Sequence, residues 1–280
     1  MPCTFSGIRR GPALLLCLSA VLVLLVSGCD KAKSTLESAL KSRRPPKERA
    51  TTHPAHPQVS GTPRLAIILD DLGSDPSAVE AIFALHYPLT LSVLPNHPRS
   101  SEIAAEAHRR GYQVMLHLPM QSVGNEIPEP GQLRAGMTPS QMTQALNEML
   151  AGVPDAVGVN NHQGSLATSD AALMAQLMPL LRERHLFFID SRTTAATVAY
   201  DAAERDGVPA AFRNVPFLDD VQDDAAIRRQ LELAIRGAKE KGQAIAIGHP
   251  HPETLRVLRE MLPQMQSQGI HLVHASDLVH

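Results

Sequence analysis

The chain alternates short apolar runs with longer amphipathic stretches. Runs of strand length occupy Leu65–Leu69, Leu89–Leu94, Gln113–Leu118, Ala156–Val159, Leu186–Ile189, Ala210–Phe212, Ala244–Ile247 and His271–His274. Between most of them lie helical patterns with recognisable ends. Asp75 before Pro76 sets a capping carboxylate ahead of a proline at the first helical position. Thr138-Pro139-Ser140-Gln141 has the spacing of a capping box, and Gly111 and Gly242 stand where helices should stop. Repeated strand–helix units imply a parallel sheet, and about eight strands favour an irregular (β/α) barrel over an open sheet. No internal repeat is visible.

The apolar runs end in polar residues. Asp70 and Asp71 close the first, and later ends carry Asn96, His117, Asn160-Asn161-His162, Asp190 and His249. In (β/α) barrels, residues at the C-terminal strand ends converge on one site. Burying a carboxylate without a partner is costly, so an aspartate pair there points to a metal, a substrate or cationic side chains. Neighbours along a strand face opposite sides, so Asp70 and Asp71 are expected to point apart. Pro119 is read as forcing a turn after His117, and Asn160 to His162 as a turn. Asp219 and Asp220 end another strand-like stretch, but Asp223 and Asp224 follow, so this charge run is read as a solvated loop and helix start. His108 and His185 lack strand-end placement and are read as solvated. Ser165 has no Gly-x-Ser-x-Gly elbow around it, which argues against a serine nucleophile.

Composition narrows the picture. Net charge is −2, so nothing invites nucleic acid. Trp is absent and aromatics are 3%, which argues against a deep stacking groove for long sugar chains. The three cysteines are Cys3, Cys17 and Cys29, all in the first 29 residues, so a metal in the body must be held by histidine and carboxylate. Arg9 and Arg10 precede an apolar run from Ala13 to Val26, shorter than the roughly 20 residues of a spanning helix. This reads as a secretory signal. Val26-Ser27-Gly28-Cys29 resembles a bacterial lipobox, which implies lipidation of Cys29, and Asp30 resembles an inner-membrane retention signal. The expectation is an envelope protein on the periplasmic side, tethered by its N-terminus; a secreted or uncleaved N-terminally anchored protein is the alternative. Residues 1–29 are thus assigned to the signal, 30–63 to a basic, Pro-rich linker including His53 and His56, and 64–280 to one domain.

Taken together, the segments Ile67 to Gly73 (Asp70-Asp71 within), His117-Leu118-Pro119-Met120, Val159 to Ser165, Phe188 to Thr193 and Ile247 to Pro250 resemble the divergent polysaccharide deacetylase family, relatives of the NodB-type carbohydrate esterases. The resemblance spans about Leu65 to Leu278. It implies a barrel of the glycoside hydrolase and deacetylase type that holds a divalent metal, commonly zinc. It implies Asp70 as catalytic base, Asp71 and His117 as metal ligands, and His249 as the late histidine that protonates the leaving amine or steadies the oxyanion. In the relatives the second histidine stands four positions after the first; here that position is Gln121, and His162 is taken as the replacement. Asp190, Arg192 and Arg213 are candidates to orient the base or a histidine, and Asn160 and Asn161 to cap or to bind sugar hydroxyls. The implied partner is an N-acetylated envelope glycan. The competing reading is a barrel that binds glycan or a protein partner without turnover, and the sequence names no protein partner.

Overall fold

The structure, a computed structural model, describes residues 61–124 and 127–280. The signal assignment, Cys29 and the linker as far as residue 60 lie outside the described residues. Eight strands run parallel: β1 (Arg64–Leu72), β2 (Thr90–Val93), β3 (Gln113–Met120), β4 (Gly158–Gln163), β5 (Phe187–Asp190), β6 (Ala210–Phe212), β7 (Gln243–Gly248) and β8 (His271–Val273). Helices α1 (Pro76–Phe83), α2 (Ser100–Arg109), α3 (Pro139–Gly152), α4 (Ala171–Glu183), α5 (Ala199–Asp206), α6 (Asp224–Lys241) and α7 (Pro252–Ser267) connect them. The strand order is β6-β5-β4-β3-β2-β1-β7, with β8 paired to the start of β1. No ladder joins β6 to β7, but the backbone of 214–218 bridges the gap: Asn214 N–H donates to the Ile245 carbonyl and Leu218 N–H to that of Ile247. The result is a nearly closed, irregular (β/α) barrel.

The capping chemistry operates as the residue types dictate. Asp75 accepts from the amides of Ser77 and Ala78, Thr138 and Gln141 form a reciprocal capping box, and Gly242 ends α6 in the left-handed region at φ 84°.

Strand parity divides the buried side chains into two sets. Leu65, Ile67, Leu69, Leu91, Leu116, Val159 and Phe188 face the helices, in one continuous apolar cluster. Ala66, Ile68, Met115, Phe187, Ile189, Ile245 and Ile247 fill the barrel interior, with Ala275 and Leu278 from the C-terminal 3-10 turn. Above this plug the inward positions become polar. Asp70, Ser92, His117, Asn160, His162 and His249 continue the inward register of Ile68, Thr90, Met115, Gly158 and Ile247.

Three expectations are corrected here. Asn160, Asn161 and His162 are not a turn but the body of β4, paired with His117, Leu118 and Pro119. A strand that lines a polar interior need not be apolar, so its polarity hid it. Pro119 does not end β3, which runs to Met120. The Pro119 carbonyl accepts from Leu133 N–H on the edge that β2 has already left, so the missing proline N–H breaks no ladder bond there. Asp70 and Asp71 do not point apart. Leu69 pairs with Leu91 but Leu72 with Val93, so β1 carries one extra residue, and Asp71 sits at φ 58°. This bulge turns the second carboxylate back over the barrel mouth.

Gly158 lies under the Phe187 ring, and an added Cβ would come within 2.4–2.5 Å of three ring atoms. Gly158→Ala is expected to destabilise the domain by about 1–3 kcal/mol through overpacking, read from the urea midpoint. An unchanged midpoint would contradict this packing.

Candidate active site

Three donor atoms converge at the mouth of the barrel. Asp71 Oδ1 lies 3.1 Å from His117 Nε2 and 3.0 Å from His162 Nδ1, and the two ring nitrogens are 3.1 Å apart. The triangle arises from the bulge in β1 and from the β3–β4 register, which sets His162 beside Pro119 and so one inward step above His117. His117 is buried; Asp71, with its side chain 38% exposed, opens the site to solvent.

Asn160 holds this arrangement from beneath. Its Oδ1 accepts from His117 Nδ1 at 2.9 Å and from the Ser92 hydroxyl. Its Nδ2 donates to both oxygens of Asp70, at 2.9 and 3.0 Å, and to Ser191 Oγ at 3.3 Å. A proton on His117 Nδ1 leaves the Nε2 lone pair facing Asp71 and His162, which is the tautomer a metal ligand requires.

The set fits a divalent ion. One carboxylate oxygen and two imidazole nitrogens are the donors zinc and similar ions take, and bonds of about 2.0–2.1 Å imply donor–donor edges near 3.3 Å in a tetrahedron, close to those seen. These three residues also form one of two groups of potential metal donors among the described residues.

Asp70 adjoins the triangle at 3.7 Å from His117 Nε2 and is wholly buried. Burial lifts its pKa above the usual carboxylate value, against the pull of His117 and His249. For Asp71 burial acts the same way, but the His117 and His162 rings set against its Oδ1 overturn it and hold that carboxyl far below the usual range. The two neighbours thus differ in character: Asp71 stays ionised, whereas Asp70 holds a proton more readily.

On another edge His249 Nε2 lies 3.7 Å from Asp71 Oδ2. Its Nδ1 is 2.8 Å from Asp219 Oδ1, and Asp219 Oδ2 accepts from the backbone N–H of His249 and, at 2.7 Å, from the Thr254 hydroxyl. Burial disfavours the imidazolium, but the Asp219 hydrogen bond and the field of Asp70 outweigh it and raise the His249 pKa to about 9. Asp219 corrects the solvated-loop reading of that charge run: it is buried, while Asp220 is exposed. The apolar run Val215 to Leu218 before it, hydrogen-bonded to β7, was the sequence signal for a strand-like edge delivering a carboxylate.

The remaining candidates do other work. Asp190 follows Phe188 in outward register and leaves the site; its oxygens accept from Arg192 N–H, the Thr197 hydroxyl and Tyr200 N–H, and so shape the loop after β5. Neither it nor Arg192, whose guanidinium stacks on Phe212, contacts the base or a histidine of the site. Arg213 donates to the carbonyls of Ser191, Val215 and Arg192, and Asn161 accepts from Ser191 N–H; both brace loops. Gln121 spends its side-chain oxygen on Ala135 N–H, and Asn96 donates to the Pro130 carbonyl.

Residues 67–279 match the family described as divergent polysaccharide deacetylase, and the chain belongs to that family. It is 40% identical over 217 residues to the uncharacterized protein YibQ of Escherichia coli (strain K12), covering 78% of this chain and 67% of that one. A solved structure of an uncharacterized protein from Agrobacterium tumefaciens C58 aligns with a TM-score of 0.74 at 24% identity, over 80% of this chain and 92% of that one. A mutant CE4-family pseudoenzyme with restored enzymatic activity aligns with a TM-score of 0.52 at 10% identity, over 78% and 68%. At such identities the two structures speak for the fold.

In metal-free protein His249 is expected to titrate near pH 9 by NMR, and Asp219→Asn to return it toward 6.5. Because its folded-state pKa is raised, the pair's stabilisation, at most about 3 kcal/mol, is complete below about pH 6.5 and lost as pH rises through 9. Titration of wild-type His249 near 6.5 would contradict the dyad.

Proposed function

We propose that this protein is a metal-dependent hydrolase of the polysaccharide deacetylase type that removes acetyl groups from an N-acetylated carbohydrate of the cell envelope. The observation that carries this reading is the donor triangle of Asp71, His117 and His162, flanked at separate edges by a buried carboxylate and by an imidazole paired with Asp219.

An amide carbonyl is a poor electrophile and water a poor nucleophile; a divalent ion on the triangle supplies polarisation of the one and activation of the other. Asp70, held by Asn160 and lifted in pKa by burial, accepts the proton that water gives up. His249, whose ring proton the Asp219 pair favours, donates to the departing amine. Asp219 holds His249 in the tautomer whose Nε2–H faces the site. The partial exposure of Asp71 leaves room for substrate on the solvent side. Attachment through Cys29 to the periplasmic face of the inner membrane places the domain beside such a glycan.

The second reading, a barrel that binds without turnover, draws on Gln121 standing where the resemblance places a second histidine. The same variants separate the two. Full-length protein is expected to bind one equivalent of zinc by elemental analysis, and Asp71→Asn or His162→Ala to abolish it. Asn160→Ala, which leaves all three ligands in place, is expected to weaken zinc by about 10–100-fold. Asp70→Asn is expected to keep the metal while acetate release from N-acetylated oligosaccharides falls by about 10²–10⁴-fold. An Asp70→Asn protein that still supports whatever phenotype gene deletion abolishes would favour the binding module.

A further inference from the structure

A second set of metal donors adjoins the first. Asp219, His249 and His251 each offer one ligand atom, and the three atoms lie within 4.8 Å of one another. One carboxylate and two imidazoles is the donor set of the Asp71, His117 and His162 triangle over again. The two sets meet at Asp71: His117 and His162 face its Oδ1, and His249 Nε2 lies 3.7 Å from its Oδ2.

His251 has no part in the chemistry proposed above, yet the chain holds it beside that chemistry. It stands between Pro250 and Pro252, whose rings restrict the backbone on both sides. It occupies the N-cap position of α7, but its side chain makes no capping bond and so is not spent on the helix. Its ring lies 5.8 Å from that of His249, centroid to centroid. Its Nε2 is 3.0 Å from the amide nitrogen of Gln222, an exposed side chain that can move aside at little cost. Asp219 is held more firmly. Its Oδ2 accepts from His249 N–H at 2.6 Å and from the Thr254 hydroxyl at 2.7 Å, which turns Oδ1 to His249 Nδ1 at 2.8 Å. Gly248 permits this approach, since a Cβ there would stand 3.3 Å from Asp219 Oδ2 and 3.1 Å from Leu218.

We infer that Asp219, His249 and His251 form a second, weaker site for a divalent transition ion such as zinc, and that filling it switches the hydrolase off. Two imidazoles select zinc and similar ions over magnesium or calcium, which take oxygen donors. The 2.8 Å edge between Asp219 and His249 needs to open only slightly, because bonds of about 2.0–2.1 Å require an edge near 3.3 Å. The site is weaker than the triangle for two reasons. The ion replaces the hydrogen that Asp219 and His249 share, which leaves to solvent as a proton. His251 must also swing inward, whereas the triangle's donors already stand 3.0–3.1 Å apart. Inhibition follows from the same exchange. With an ion on Nδ1, His249 keeps a hydrogen on Nε2 but is no longer an imidazolium, and it yields that hydrogen far less readily to a departing amine. The switch rests on the deacetylase reading; the site does not.

Full-length protein carrying one equivalent of zinc is titrated calorimetrically with further zinc and, separately, with magnesium. Wild type is expected to take a second equivalent of zinc at least about tenfold more weakly than the first, and no magnesium. His251→Ala is expected to keep the first equivalent, which reports an intact fold, and to weaken the second by at least about tenfold. Asp71→Asn is expected to lose the first and keep the second. Anomalous diffraction from crystals in excess zinc is expected to show the second ion on Asp219, His249 and His251 in addition to the first. Acetate release from N-acetylated oligosaccharides is expected to fall at least about tenfold as the second site fills, and His251→Ala to need at least about tenfold more zinc for the same fall. Absence of a second equivalent, or one that His251→Ala leaves unchanged, overturns the site. Turnover that persists with the second ion bound overturns the switch. A second equivalent that needs His251, without acetate release at any zinc concentration, supports the site and sinks the deacetylase reading alone.

Discussion

A single backbone irregularity makes the site. In a regular strand, Asp70 would face the barrel interior and Asp71 the helices. The extra residue in β1 and the positive φ of Asp71 bring both carboxylates to the mouth. Such a conformation costs roughly 1–3 kcal/mol and survives only where the surroundings over-determine it. Here they do: β1 pairs with β2, β7 and β8, and Leu65 to Asp70 are buried on both faces. The strand with the most neighbours is the one that carries the strain.

Once the bulge is in place, environment separates otherwise similar groups. Asp70 and Asp71 are chemically identical and adjacent, yet burial moves one up while two imidazoles move the other down. His117 and His249 differ in the same way. The first has Nδ1 tied to a neutral amide, which frees Nε2 for a metal; the second has Nδ1 tied to a carboxylate, which favours a proton on the ring. One amide, Asn160, spends its full hydrogen-bonding capacity on Asp70, His117, Ser92 and Ser191 and so couples base to ligand.

Most of the fold was legible in the sequence because parallel strands buried on both faces read as apolar runs, and all eight appear where such runs stand. The fourth was mis-set because its upper half is Asn160-Asn161-His162, polar residues satisfied inside the barrel. Strand-end placement pointed to Asp70, His117, His162 and His249, which the structure gathers. It also pointed to Asp190, which parity with the outward Phe188 sends away. Asp219 was hidden by the charges that follow it, since a lone sequence cannot tell a buried aspartate from its solvated neighbours. The bulge at Asp71 had no sequence signature beyond aspartate's tolerance of the left-handed region.

The most direct test of the central claim is anomalous diffraction from crystals of the zinc-loaded protein. The account predicts one ion bonded to Asp71 Oδ1, His117 Nε2 and His162 Nδ1, with Asp70 outside its coordination sphere. An ion seated instead on Asp219, His249 and His251, the other group of potential donors, would contradict it, as would imidazoles of His117 and His162 turned away from each other.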